Sequence, residues 1–128
     1  MDYTVQRDNN LPYQTIKITG ELKFEYFDKF YTDLIKNENW EKDKHVLWDL
    51  RQCNFDSLNS FNLESISYMI SRHEPERGKG KSAIVVTRNV DYGIARMFEL
   101  INENRFKFNF MIFKAMDEAI QWLSQDEE

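Results

Sequence analysis

Three arginines occur where strand-like stretches give way to helices, and their side chains could bind an anion. Arg51 and Arg88 each come directly after an apolar stretch, and Arg96 lies in the first turns of the following helix. Open α/β sheets usually bind ligands at the carboxyl ends of their strands. Guanidinium groups bind carboxylates and phosphates through paired hydrogen bonds, so these three residues form a candidate anion site. The alternative is ion pairing with the neighbouring acidic residues, which are Asp49, Asp56, Asp91 and Glu99.

The other reactive side chains predict neither a catalytic nor a metal site. His45 begins a strand and His73 ends a helix, and neither has a metal-ligating residue at suitable spacing. Cys53 has no surrounding motif and is interpreted as small buried filler. The segment Gly80-Lys81-Ser82 looks like the end of a phosphate-binding loop, but it leads into a strand where that motif must open a helix. We therefore expect no metal, no cofactor and no enzymatic activity.

Length and composition favour one folded domain. The chain has 128 residues, 41% hydrophobic and 30% charged, so a single domain over residues 1–128 is expected. A net charge of −5 disfavours a nucleic-acid partner, because such binding rests mainly on neutralising phosphates. No apolar run approaches the roughly 20 residues needed to span a bilayer. The first residues lack the features of a signal peptide, and the lone cysteine suits a reducing compartment, so a cytoplasmic location is expected.

Aromatic residues make up 15% of the chain, and the clearest helix, predicted over Lys23 to Asn37, carries several of them. At roughly 100° per residue, one arc of about 140° holds Phe24, Phe27, Phe30, Tyr31, Leu34 and Ile35. Such a helix must place this arc on another apolar surface. An aromatic stripe of this kind fits either an ordinary core or the wall of a ligand cavity. Tyr26, Tyr68 and Trp40 lie outside the stripes and would mark a partner surface only if they were grouped.

The elements that must position these residues alternate along the chain. A hairpin is predicted from Tyr3 to Thr19, followed by the aromatic helix. Three short, nearly continuous apolar strands follow, at His45–Leu50, Ala83–Thr87 and Phe108–Phe113, and apolar helical stripes come between and after them. This alternation predicts an α/β domain with a mainly parallel sheet and an antiparallel first strand. The charge-rich connection from Arg72 to Lys81 is predicted to be a solvated loop made flexible by its glycines.

Several segments in this order resemble STAS domains (sulfate transporter and anti-sigma-factor antagonist), specifically the stand-alone bacterial SpoIIAA-like proteins. The resemblance runs from about residue 13 to residue 123. Its carriers are Thr19-Gly20-Glu21-Leu22, Leu47-Trp48-Asp49-Leu50-Arg51, Tyr92-Gly93-Ile94-Ala95-Arg96-Met97-Phe98-Glu99 and Asp117-Glu118-Ala119-Ile120-Gln121-Trp122-Leu123. It implies a non-enzymatic α/β fold with a mixed, mainly parallel sheet of four to five strands and about four helices.

The first functional expectation is a binding module. Members of this branch are similar in architecture to CRAL-TRIO lipid-transfer domains, which hold apolar molecules between sheet and helices. Together with the aromatic surplus, this suggests an apolar or lipid-like ligand. The first helix would then act as a lid through Phe24, Phe27, Phe30 and Tyr31.

The alternative expectation is a protein-interaction switch of the anti-sigma-factor antagonist type. In that branch a Leu-Asp-Leu strand leads to an Asp-Ser-Ser-Gly segment, and an anti-sigma kinase phosphorylates one serine. This chain keeps Asp56 and Ser57 after Trp48-Asp49-Leu50, but Leu58 replaces the second serine and the glycine is missing. The added charge of a phosphate would repel an acidic partner or attract a basic one.

The switch loop has a purely structural alternative. Its candidate residues are Asp56, Ser57 and Ser60, and a helix is predicted to start near Asn62. Ser57, Ser60 or Asn62 would then serve as the helix cap. Exposed aromatic surface favours association, so the partners expected are an apolar small molecule, a protein or a second copy of this chain.

Overall fold

The sheet has five strands in the order in which they occur along the chain. The computed structural model describes residues 1–125. Its strands are β1 (Asp2–Gln6), β2 (Tyr13–Glu21), β3 (His45–Asn54), β4 (Ser82–Val85) and β5 (Phe110–Phe113). Strand β1 runs antiparallel to β2, and β2 to β5 are parallel. The predicted mixed, mainly parallel sheet is confirmed.

The helices are α1 (Phe24–Lys36), α2 (Ser60–Arg72), α3 (Glu74–Arg77), α4 (Asn89–Ile101) and α5 (Met116–Leu123). The two faces of the sheet carry different helices because successive strand residues point to opposite sides. On β3, Val46 and Trp48 face a large core that includes α1 and α2, whereas Leu47 faces α5. Both faces of the central strand are therefore covered, as its continuous apolar run predicts.

The two strands of the hairpin at the start of the chain differ in burial: most of β2 is buried or half-buried, and β1 is exposed. Ile16 and Ile18 of β2 are completely buried, and Lys17 between them is half-buried. Every residue of β1 is exposed, and its Tyr3 ring packs edge-on against Phe30 of α1, 4.4 Å between ring centres. Strand β1 therefore forms one open edge of the sheet.

Helix α2 begins earlier than the sequence pattern predicts, and its cap is a different residue. The side chain of Asn59 accepts a hydrogen bond from the Asn62 backbone N–H at 2.9 Å, and the Asn62 side chain accepts one from the Asn59 N–H at 3.1 Å. This reciprocal capping box satisfies two free amides at the helix start. Neither Ser57 nor Ser60 acts as the cap, and Asn62 serves as the third helical residue.

The connection after α2 is an ordered segment and not the solvated loop predicted from its charge. It contains the additional helix α3, which has a proline in its first turn, a favourable position because the missing N–H is not needed there. Arg77, the last residue of α3, is only 2% exposed. A side-chain carbon at Gly78 or Gly80 would collide with residues 43–44, so these glycines permit close packing and do not supply flexibility.

Candidate functional site

A cavity of about 100 Å³ lies between one face of the sheet and the helices α1, α2 and α4. Every residue that lines it has an apolar or aromatic side chain except Arg77 and Ser82. The sheet contributes side chains from β3, β4 and β5, and the loops before β5 and after β3 close the remaining sides. The cavity is therefore a largely apolar space with a polar group on one part of its wall.

Many of the chain's aromatic rings lie in this wall. Trp48 of β3 stacks on Tyr31 of α1 with 6.3 Å between ring centres and 14° between planes. Phe106 stacks on Phe108 at 5.0 Å, and Phe110 lies 5.6 Å from Phe106. Aromatic pairs at such distances stabilise the fold beyond the area they bury. These aromatic rings therefore form much of the cavity wall, and the space between them stays unfilled.

The structure divides the four lid candidates between different environments. Phe27 and Tyr31 line the cavity. Phe30 packs between Tyr3 and Trp48, and Phe24 is half-buried beside a surface groove between α1 and α2. Two of the four side chains on the predicted arc therefore reach the cavity.

The polar part of the wall is centred on Arg77. Its Nη1 donates to the Gly78 carbonyl oxygen at 2.9 Å, and its Nη2 donates to the Ser82 hydroxyl at 2.6 Å. The guanidinium carbon lies 3.5 Å from the centre of the Phe108 ring, a close cation–π contact. Among residues 1–125, no carboxylate lies within 4.0 Å of this group. Arg77 is thus a buried cation without a bound anion.

The hydroxyl of Tyr31 lies near Arg77 and is the second polar group of this wall. Tyr31 is 2% exposed, and its oxygen interacts with the Arg77 guanidinium, but this contact falls short of hydrogen-bond geometry and no other described residue provides a partner. Burial raises the pKa of Tyr31 to about 12, although the neighbouring positive charge of Arg77 opposes this shift. Burial also lowers the pKa of Arg77. The hydroxyl therefore keeps its proton at neutral pH and can donate a hydrogen bond.

Local packing fixes the position of Arg77. The Trp40 indole N–H donates to the Arg77 carbonyl oxygen at 3.4 Å, and the Asp43 carboxylate accepts from the Lys79 N–H at 2.8 Å. Ser82, the partner of the guanidinium, is the first residue of β4. Trp40, which stands outside the helical stripes in the sequence, is thus partly buried against the core and holds the site in place.

The cavity wall extends along the strands. Ser82 pairs with Val46 near the start of β3, whereas Leu50 lies four residues further along β3 and Phe55 follows its last residue. Four residues of strand correspond to roughly 13 Å at about 3.3 Å per residue. The Arg77 group therefore lies toward the amino ends of the strands, and the rest of the wall toward the carboxyl ends is apolar.

The three arginines of the candidate anion site each bind a carboxylate of this chain. Arg51 donates to both oxygens of Asp49 at 2.9 and 3.0 Å, and Arg96 forms an ion pair with Glu99. Arg88 contacts Asp56 at 2.7 Å and Asp91 at 3.1 Å. Burial of Asp49 would raise the pKa of its carboxyl, but the hydrogen bonds from Arg51 outweigh this and lower it. These contacts match the ion-pairing alternative, and the anion site at this edge stays a prediction.

The switch-loop residues lie on the surface beside one of these pairs. Asp56 and Ser57 form an exposed turn after β3, and Ser60 is the exposed first residue of α2. The ion pair between Asp56 and Arg88 ties this turn to the start of α4. Both serine hydroxyls are therefore open to solvent, and only Asp56 has a charged partner.

The remaining reactive groups of the described chain form no further site. Cys53 is buried, and burial raises the pKa of its thiol to about 11, so it stays protonated near neutral pH. Residues 1–125 contain no group of three or more His, Cys, Asp or Glu side chains that could hold a metal ion. Within the same residues, none of the helices combines the length and apolar character that crossing a membrane requires.

The comparisons with known proteins identify the fold. The structure is similar to the crystal structure of an uncharacterised protein from Shewanella loihica PV-4, of the DUF3478 family with a SpoIIAA-like fold. The TM-score is 0.57 at 15% identity, over 95% of this chain and 92% of that one. No protein-family model and no curated protein matches the sequence. The chain therefore has the SpoIIAA-like, STAS-type fold that the sequence motifs predict.

The sequence predicts some of the residues of the cavity wall but not its polar group. Of the lid candidates on the helical stripe, Phe27 and Tyr31 line this wall, whereas Trp48 was predicted only as part of a strand. The sequence does not distinguish Arg77, because this residue stands among other charged residues in a segment that has no apolar periodicity. The one available signal was Pro75 two residues earlier, which suits the first turn of a short helix.

Proposed function

We propose that this protein is a non-enzymatic binding module that holds a small apolar or lipid-like molecule between its sheet and helices. The observation that carries the proposal is the apolar cavity of about 100 Å³. Cavities of roughly 150 Å³ lined by Leu, Ile and Phe stay dry and bind benzene. The cavity here has a similar lining and about two-thirds of that volume, so it suits a small hydrocarbon group.

The energetics of the empty cavity favour occupation. Unfilled core volume costs about 24 cal/mol per Å³. A volume of about 100 Å³ therefore corresponds to roughly 2 kcal/mol that a well-fitting apolar ligand can recover. This energy comes from filling apolar volume and needs no chemical step, so the cavity suits a binding role.

The test is to fill the cavity with a side chain of the protein itself. Ala95 of α4 lines the cavity, so Ala95→Leu places a larger side chain into the space. The exposed Val90 of the same helix provides the matched control Val90→Leu. Binding of toluene and hexanol is measured by titration followed with NMR chemical shifts.

We expect the wild type and Val90→Leu to bind at least one probe, and Ala95→Leu to bind neither while keeping or raising its melting temperature. The proposal fails if the wild type binds neither probe. It also fails if a folded Ala95→Leu binds both as well as the wild type does.

A second candidate function is the protein-interaction switch, for which the exposure of Ser57 beside the Asp56–Arg88 ion pair is the favourable observation. A phosphate on Ser57 would place negative charge next to this pair and could draw Arg88 away from Asp56. Capture of partners from an extract of the source organism is compared for wild type, Ser57→Asp and the uncharged control Ser57→Ala. The switch predicts that only Ser57→Asp changes what is captured, and equal capture by all three rejects it.

A further inference from the structure

We propose that the ligand of this cavity is a small apolar monocarboxylate, whose carboxylate binds Arg77 and Tyr31 while its hydrocarbon part fills the apolar space. This inference rests on the proposed function and adds the chemical class of the ligand. Both residues line the cavity, and both are 2% exposed. The ligand would therefore be amphipathic, with its acid group beside two buried side chains.

The first argument is the state of the Arg77 charge. A buried cation is costly unless an anion or several acceptors compensate it. A guanidinium has five N–H groups, and Arg77 uses two of its nitrogens, on one backbone carbonyl and one hydroxyl. Both acceptors are neutral. Arg77 lines the apolar cavity, and these two hydrogen bonds do not use all of its N–H groups; a carboxylate, which accepts two parallel hydrogen bonds, matches such a planar group.

The second argument is the unused hydroxyl of Tyr31. Buried hydroxyls nearly always have a hydrogen-bond partner, and one without a partner calls for an explanation. Ser82 does not provide this partner, because no hydrogen bond joins the two hydroxyls, and the Ser82 oxygen accepts instead from Arg77 and from the Trp48 indole at 3.3 Å. A carboxylate bound to Arg77 would supply the acceptor that Tyr31 lacks.

The charges around Arg77 favour a single negative charge on the ligand. Glu74 and Asp43 are near enough to act on the guanidinium electrostatically, but each carboxylate is held elsewhere. Glu74 accepts from the Lys107 N–H and Asp43 from the Lys79 N–H, both at 2.8 Å. A monoanion neutralises the one cation that lines the cavity. A doubly charged phosphate would leave one negative charge buried near these two carboxylates, and a neutral ligand would leave Arg77 without a directly bound anion.

The test compares two probes that share a hydrocarbon chain, hexanoate and hexanol. We expect the wild type to bind hexanoate more tightly than hexanol, and Arg77→Met to weaken hexanoate binding about tenfold to a hundredfold, the usual range for losing hydrogen bonds to a charged group. Tyr31→Phe should weaken hexanoate binding about tenfold. Neither change should weaken hexanol binding by a similar factor. The matched controls on α2 are Arg72→Met and Tyr68→Phe, because both side chains are exposed.

The outcomes separate this inference from the proposed function. If hexanol binds and hexanoate does not, the cavity binds apolar ligands and the carboxylate assignment is wrong. The assignment is equally wrong if both cavity variants bind hexanoate as the wild type does. If neither probe nor toluene binds, the proposed function fails as well. Should Arg77→Met not fold, Tyr31→Phe decides alone, because it removes one oxygen and leaves the ring contacts in place.

Discussion

The buried hydroxyl of Tyr31 gives a stability prediction with an unusual sign. Most substitutions in a protein core destabilise it. Tyr31→Phe keeps the ring that stacks on Trp48 and removes only an oxygen that lacks a hydrogen-bond partner. A buried polar group left unsatisfied costs about 1–3 kcal/mol. We therefore expect this variant to be more stable than the wild type.

The expected gain in the free energy of unfolding lies at the lower end of the cost of an unsatisfied buried polar group, about 1–3 kcal/mol. The nearby Arg77 guanidinium attracts the hydroxyl oxygen and offsets part of the desolvation cost, so we expect a gain of about 1 kcal/mol. For a domain of this length such a gain raises the melting temperature by about 3–5 °C. The ligand-free protein is measured by urea unfolding, in which the midpoint should rise while the slope stays constant.

The control for this prediction is Tyr68→Phe. Its hydroxyl lies on a side chain that is 65% exposed, so its removal should change the free energy of unfolding by less than about 0.5 kcal/mol. A loss of 1 kcal/mol or more in Tyr31→Phe would refute the reasoning, since it would mean that the hydroxyl has a good partner such as a buried water. A stabilised variant that binds hexanoate poorly would mean that Tyr31 is kept for binding at the expense of stability.

Three further predictions concern the elements that frame the cavity. Asn59→Ala removes the capping box of α2 and should lower the free energy of unfolding by about 1 kcal/mol; an unchanged urea midpoint would contradict the cap. Gly80→Ala should destabilise the protein by about 1–3 kcal/mol, because its new methyl group would meet the Lys44 carbonyl. Gly93→Ala, in the open on α4, should stabilise it by about 0.5–1 kcal/mol, and equal melting temperatures for the two glycine variants would refute this contrast. Arg51 lowers the pKa of Asp49. The pair's contribution to the free energy of unfolding is therefore fully present above the ordinary aspartate pKa, and it is lost as the pH falls through the lowered pKa. Asp49→Asn should therefore flatten the acid side of the pH–stability curve, and an unchanged slope would be evidence against the pair.

The parts of the fold that could be predicted from the sequence are those with a clear apolar pattern. Helix α1 differs from its prediction by one residue at each end, because a strong amphipathic stripe defines both its extent and its buried face. The first part of β3 was predicted from a different signal, the nearly continuous apolar run typical of a strand covered on both faces. Its last residues, Arg51 to Asn54, were not, because only Cys53 among them is buried and the polar side chains around it interrupt the apolar run.

The polar end of the cavity could not be predicted by this route. Arg77 is buried by tertiary packing of α3 against residues 40–43 and against Phe108, and none of these contacts is local in sequence. A charged residue in a charged segment normally indicates solvent exposure. The cap of α2 was assigned to the wrong residue for a related reason, since the run from Ser57 to Asn62 offers several good capping side chains and only geometry selects Asn59.

The open edge formed by β1 has a consequence for how the protein fluctuates. This strand is hydrogen-bonded on one side only, all its residues are exposed, and β2 beneath it is already paired with β3. Segments with few buried contacts open without global unfolding. Backbone amides of β1 should therefore exchange with deuterium well before those of β3. The part of the sheet that carries the cavity would stay closed during this opening, so the frayed edge and the binding site belong to separate cooperative units.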